Sequence, residues 1–227
     1  MLYKTEGIVL TYVKYAESSV IAKIFTKSFG LKHYIINGVR KERPRHNIAL
    51  LHSLSPVNLV VYNKKNLGIQ RIASIECEKA MHNIIADIYK SSVATFLAEL
   101  ISKSTSINAR YESLFDFIKQ NVYHLDSLHS SPNIFLMKFI IELSRYLGFG
   151  MNNIEHIKEQ LNTPYSSRYT LTQEEESILK SLIKNEPIKN IDRRIRKNIT
   201  DCTMEFYKAN ISNLIKIKSL TIFKEIM

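Results

Sequence analysis

Only two cysteines, Cys77 and Cys202, occur in the 227 residues, and there is no tryptophan. Two cysteines exclude a disulfide framework and any four-cysteine zinc site. The same scarcity points to a reducing cytoplasm. Glycine and proline are also sparse, six and five residues. The glycines are scattered, and no GxxxxGK[ST] phosphate loop occurs. HExxH is absent as well. The most apolar stretch, residues 134–147, is interrupted by Lys138, Glu142 and Arg145 and is too short to span a bilayer, so no membrane association is expected. The first six residues, Met1-Leu2-Tyr3-Lys4-Thr5-Glu6, contain no apolar core of a secretory leader. Acidic residues are in deficit too: 21 Asp and Glu against 32 Lys and Arg leave a formal charge of +11.

What is present is enough apolar side chain, 45% of residues, to build a core, which excludes a disordered tail protein. The positive balance points to a polyanionic partner. It is unevenly spread. Residues 1–80 hold 13 Lys and Arg against 5 Asp and Glu, residues 81–160 hold 7 against 8, and residues 161–227 hold 12 against 8.

β-branched and aromatic runs at residues 7–13, 20–25, 31–37, 57–62 and 69–75, separated by polar or Gly-containing breaks, predict five short strands and a small barrel. Several lack clean alternation, as strands covered on both faces do. After residue 80 the spacing becomes helical. Ile85, Tyr89, Val93, Leu97 and Leu100 form one stripe; Leu114, Ile118, Val122 and Leu125 form a second. Leu136, Ile140, Leu143 and Leu147, widened by Phe135 and Phe139, mark a central helix, with Ser131 as cap, Pro132 at its first position and Gly148 or Gly150 as its stop. Thr172 and Glu175 have capping-box spacing. Ile195, Ile199, Cys202 and Phe206 share the apolar face of a last helix. The chain is therefore expected to be α+β: residues 1–80 a barrel, residues 81–227 helical.

The strongest local signal is the segment from Gly38 to His46, which carries Arg40, Lys41, Arg43 and Arg45. A cationic loop beside a barrel edge suits phosphate binding. Lys14, Lys23, Lys27 and Lys32 lie along the first three strands and Lys64 and Lys65 in the last turn, so the face of strands two and three is the expected binding face. Tyr15 and Phe29, at expected loops, are candidates for stacking on bases. Arg193, Arg194, Arg196 and Lys197 make a second basic cluster. A solvated surface is the plain alternative for each. Catalysis finds little support. His124, Asp126 and His129 lack a ligand spacing, Glu174, Glu175 and Glu176 are explained by a helix N-terminus, and neither cysteine has the surroundings of a nucleophile. No metal, no cofactor and no enzymatic activity are expected.

Lys4-Thr5-Glu6-Gly7-Ile8-Val9-Leu10, Glu17-Ser18, Phe25-Thr26 and Gly30 resemble the start of the bacterial recombination mediator family RecO. Gly38-Val39-Arg40-Lys41 fits its basic segment, Phe135 to Leu143 with Leu147-Gly148 its central helix, and Phe206-Tyr207 with Ile217-Lys218-Ser219-Leu220 its C-terminal signature. The resemblance implies an N-terminal five-stranded OB-fold and a C-terminal all-helical domain. It implies binding of single- and double-stranded DNA, annealing of complementary strands, and loading of RecA onto DNA coated by single-strand-binding protein. The implied partners are RecR, sometimes RecF, and the acidic C-terminal tail of the single-strand-binding protein; the place of action is the bacterial cytoplasm, at the nucleoid during repair. Many members carry a cysteine zinc module after the Leu-Gly helix. Here Gly150 to His156 contains no cysteine, so a zinc-free form is expected, with packing by Tyr165, Tyr169 and Leu171 in its place. The alternative is an OB-fold adaptor serving RNA or a protein complex; a metal-dependent nuclease is a further rival.

Overall fold

The structure is a computed structural model. It describes residues 1–40, 48–64, 68–106, 112–162, 170–188, 190–211, 214 and 217–221. The chain forms two units, Met1–Ser127 and Leu128–Met227.

The first unit opens with five strands, β1 (Leu2–Tyr15), β2 (Ser19–Thr26), β3 (Gly30–Ile36), β4 (Pro56–Tyr62) and β5 (Ile69–Cys77). They close in the order β1-β2-β3-β5-β4, with β3 and β5 parallel and the other neighbours antiparallel. This is the OB-fold barrel. Its interior is filled by alternate residues of every strand, including Val9, Val20, Ala22, Ile24, Tyr34, Ile36, Leu59 and Ile75. Burial pushes the Tyr34 phenol up to about 12.

Ile8, Leu10, Phe25 and Leu31 are also fully buried, yet none belongs to that interior cluster. They lie on the outer face, under helices that follow the barrel: α1 (His82–Ala86), α2 (Ile88–Ser104) and α3 (Glu112–Ser127). Phe115 of α3 stacks on Phe25 with ring centroids 6.2 Å apart. The missing alternation thus has its cause: one sheet face meets the barrel interior and the other meets helices. The switch from strand to helix spacing falls near residue 80, but the unit containing the barrel continues through α3 to Ser127.

The stripe through Ile85 and Tyr89 is not continuous. Asp87 accepts hydrogen bonds from the N–H groups of Tyr89 and Lys90 and so starts a new helix, leaving Ile85 and Tyr89 exposed. The buried face of α2 begins at Lys90 and Val93.

Gly7 is required by close approach. A Cβ there would lie 2.8 Å from both Ile24 Cγ2 and Leu59 Cδ1, inside the barrel. Gly7→Ala should therefore cost about 1–2 kcal/mol by overpacking, read as a lower urea midpoint with an unchanged slope.

The second unit contains α4 (Asn133–Tyr146), α5 (Ile154–Leu161), α6 (Gln173–Ile183) and α7 (Arg193–Asn210). α4 is its centre. Leu136, Ile140 and Leu143 are buried, and the Tyr207 hydroxyl of α7 donates to the Ile140 carbonyl at 2.6 Å. Pro132, not Ser131, occupies the N-cap position, and no side chain caps that end. The other end closes as expected. Gly148 takes φ +90°, the Gly148 N–H donates to Arg145 O and the Phe149 N–H to Ser144 O, the two bonds of a Schellman motif. The charges that interrupt α4 have a use: Lys138 Nζ donates to Asn185 Oδ1 and Glu186 O, and Arg145 Nη2 to Ile183 O, holding the C-terminal end of α6. The Thr172–Glu175 capping box forms. In the cysteine-free segment after Gly148, the Met151 N–H donates to the Ser144 hydroxyl, and Phe149 packs against Phe206 and Tyr207. Leu171 is half-buried; Tyr165 and Tyr169 lie outside the described residues.

Candidate nucleic-acid interface

The outer face of β2 and β3 divides into two halves. In one, the helices are in place. Lys23 Nζ donates to Ser102 O at 3.0 Å, at the C-terminal end of α2, where a cation meets unpaired carbonyls. Partial burial, together with Lys103, lowers its pKa. Lys27 pairs with Asp116 of α3 at 2.8 Å. Lys32 is half-buried and is not on this face: the register sets it opposite interior Ile24, on the barrel side of the sheet. The sequence groups these three lysines as phosphate ligands, but Lys23 and Lys27 are engaged with protein partners. His33, opposite Lys23, has its pKa lowered by burial and by that lysine.

The other half is open. The register pairs Val13 with Ile21, Ile21 with Ile35 and Ile35 with Arg71, all on the outer face. Val13 is 59% exposed, Arg71 is exposed, and the two isoleucines are half-buried. At the end of this row stands Tyr15, 49% exposed, on the last position of β1 and not in a loop. Residues 11–15 are all exposed, because β1 passes a bulge at Leu10 and leaves β4 behind, keeping only β2 as its partner. The β1–β2 turn beyond Tyr15 is held by Arg40: its N–H donates to Ser18 O at 3.1 Å and its Nη1 to Ala16 O at 3.3 Å. Lys14, Tyr15 and Arg40 therefore share one corner. Lys41, Arg43 and Arg45, which continue from it, lie outside the described residues, as does Lys65.

Val13, Ile21, Ile35 and Arg71 are not among the residues singled out from the sequence. Arg71 has a visible signal, since Ile69 and Arg71 alternate with inward-facing Gln70. The three aliphatic residues have none, because outward and inward β-branched residues look alike in sequence. Phe29 lies apart from the corner, half-buried and edge-on to Tyr3 with ring centroids 5.5 Å apart. Lys64 is exposed, its backbone N–H and carbonyl both bonded to the Gln70 side chain.

In the second unit, Arg193, Arg194 and Lys197 are exposed on the first turns of α7. Arg196 is half-buried and its Nη1 donates to Ile191 O at 2.6 Å. Asp192 caps the helix by accepting from the Arg194 N–H. Cations in a first turn oppose the helix dipole; here Arg196 is held by the Ile191 carbonyl. Among the described residues, no three His, Cys, Asp or Glu side chains converge as metal ligands, and no helix is long and apolar enough to cross a membrane. Cys202 is buried, which pushes its thiol up to about 12.

A closed five-stranded barrel followed by a helical unit defines an OB-fold protein. The family description "Recombination protein O N terminal" matches residues 1–81, and "Recombination protein O C terminal" matches residues 85–169. Similar curated proteins include the DNA repair protein RecO of Flavobacterium psychrophilum, 27% identical over 237 residues covering 100% of this chain and 99% of that one. The DNA repair protein RecO of Flavobacterium johnsoniae is 28% identical over 239 residues, with the same coverage. That of Thermoanaerobacter sp. is 32% identical over 148 residues, 65% of this chain and 58% of that protein. The chain belongs to the RecO family of DNA repair proteins.

Proposed function

We propose that the protein is a non-enzymatic recombination mediator. It binds single- and double-stranded DNA, anneals complementary strands and helps to load RecA onto DNA coated by single-strand-binding protein, working with RecR, with or without RecF, in the cytoplasm at the nucleoid. The observation that carries this is the open half of the barrel face, where Arg40 and Arg71 border the apolar row and Tyr15, with exposed Lys14 on the other side of the same strand end. Cations hold phosphates without reading sequence, while exposed aliphatic and aromatic side chains reward unstacked bases. A surface that neutralises two strands at once lowers their repulsion, which is what annealing needs. The α7 cluster supports a second anionic contact, either more DNA or the acidic tail of the single-strand-binding protein.

The test is a double charge reversal, Lys14→Glu with Arg40→Glu. Both side chains are exposed, and among the described residues the Arg40 side chain donates to the Ala16 carbonyl of the turn. Affinity for single-stranded DNA at low salt should fall by roughly tenfold or more, and the salt slope should flatten by about 1.4, about 0.7 for each phosphate that is no longer neutralised. Annealing of strands coated with single-strand-binding protein should slow in parallel. A folded variant with unchanged affinity and slope would remove the assignment.

A further inference from the structure

Followed from partner to partner, the outer row does not stop at β3. Ile35 is paired with Arg71, Arg71 with Tyr62, and Tyr62 with Leu2. In a closed, staggered barrel one circuit of the register returns to a strand at a different residue, here to β1 at Leu2 instead of Val13. The row is therefore a helical belt, and Arg71 joins its two arcs. The second arc is also open: Leu2 is 52% and Tyr62 36% exposed. Two further cations flank it. Lys4 faces outward on β1, two residues from Leu2, and Lys64 follows Tyr62 by two residues. Among the described residues Lys4, Lys64 and Arg71 enter no ion pair, unlike Lys27 and Lys119 of the same unit.

The belt has a boundary. Beyond the row of Lys4, Val60 and Ser74, the register places Glu6, Asn58 and Glu76 side by side, and a cavity of about 500 Å³ lies along these two rows. Of the five acidic residues in residues 1–80, three (Glu6, Glu76 and Glu78) are on this side of the barrel. Carboxylates repel a phosphate backbone, so they confine it to the rows of Leu2 and Lys4.

We propose that Arg71, Tyr62 and Leu2, with Lys4 and Lys64, form an additional subsite for single-stranded nucleic acid, which continues the track of the Tyr15–Arg40 corner around the barrel. This rests on the reading of that corner as a nucleic-acid site. The cations take phosphates, and the Tyr62 ring and Leu2 side chain take base faces. Five steps between neighbouring strands, about 4.8 Å each, make the belt about 24 Å long at the backbone. A ligand must therefore exceed the shortest single-barrel site, roughly 4 nucleotides, to engage both arcs.

The experiment measures anisotropy of labelled oligothymidylates of roughly 4 and roughly 16 nucleotides, the limits of one barrel's site size. Arg40→Glu should weaken both lengths. Leu2→Ala with Tyr62→Ala should weaken the long oligonucleotide by roughly tenfold and leave the short one unchanged. Lys4→Glu with Lys64→Glu, two exposed positions, should repeat that pattern and guards against a folding defect in the first pair. Glu76→Lys, by widening the cationic track, should tighten the long oligonucleotide alone. If Arg40→Glu weakens both lengths while neither arc variant nor Glu76→Lys changes either, the subsite is overturned and the corner stands. Equal weakening of both lengths by the arc variants overturns it too, since an extension is out of reach of the short ligand. Binding by the wild type that Arg40→Glu leaves intact removes the corner itself.

Discussion

Residues 1–81 produced alone should fail to fold, whereas residues 1–127 should unfold in one cooperative transition. The shorter piece contains every strand of the barrel and spans the whole N-terminal family match. It lacks α2 and α3, and with them the cover over Ile8, Leu10, Phe25 and Leu31, each at most 1% exposed in the full chain. Uncovering a large aliphatic or aromatic side chain costs about 1.5–3 kcal/mol, so four cost about 6–12 kcal/mol. A domain of this size has only about 5–15 kcal/mol in total. The truncation also removes the Phe115–Phe25 stack and the Lys23–Ser102 and Lys27–Asp116 ties. Circular dichroism during urea unfolding, with a dye that binds exposed apolar surface, distinguishes the outcomes. The shorter piece should show no cooperative transition and strong dye binding. A cooperative transition in residues 1–81 would show that the barrel interior suffices, and that α1–α3 are an accessory cover.

The same four side chains explain what is and is not legible in the sequence. The strands are visible because β-branched runs alternate with turn residues, and their expected positions agree with β1–β5 to within a few residues at most ends. The order of the helices and the capping box at Thr172 are visible for the same local reason. What the sequence does not carry is which of two apolar faces of a strand meets the barrel interior. Phe25 and Leu31 read like interior residues, which leaves the β2–β3 face free for a ligand, and Lys23 and Lys27 free with it. Their partners, Ser102 and Asp116, lie about 80 to 90 residues along the chain. Conversely, Ile85 and Tyr89 fit a helical stripe, but a single carboxylate at Asp87 restarts the helix and turns them outward. The cationic corner is half legible: Arg40 and Lys14 stand where the composition suggests, while the apolar row beside them depends on a register that only the closed barrel defines.

Lys119, beside the Lys27–Asp116 pair, ties α3 to the barrel, and its removal should cost about 2–3 kcal/mol. Lys119 Nζ lies 2.7 Å from Glu6 Oε2 of β1 and 2.5 Å from Glu78 Oε1, just past β5. The Tyr123 hydroxyl donates to the same Glu78 oxygen at 3.0 Å, and Lys79 sits 4.9 Å from the Tyr123 ring centre. Burial alone would lower the Lys119 pKa, but the hydrogen bonds to Glu6 and Glu78 outweigh it and raise it. A raised folded-state pKa means that the stabilisation is complete below the unfolded value, about 10.4. It fades only as pH rises through the higher folded value, so it is fully present at neutral pH. Lys119→Met keeps the aliphatic stem and removes the ammonium, leaving two carboxylates facing α3. Breaking a buried pair costs about 3–5 kcal/mol; Glu6 is more than a third exposed, and solvent screening brings the expectation down to about 2–3 kcal/mol. That is a fall in Tm of roughly 10 °C for a unit of this length. Most of the cost is the stranded carboxylates and not the missing attraction. Lys119→Met combined with Glu6→Gln and Glu78→Gln should therefore recover more than half of it, a non-additivity that a mutant cycle measures directly. If the triple variant is no more stable than Lys119→Met, the ammonium acts by attraction alone; if Lys119→Met matches the wild type, α3 is held by Phe115, its apolar neighbours and the Lys27–Asp116 pair without help from Lys119.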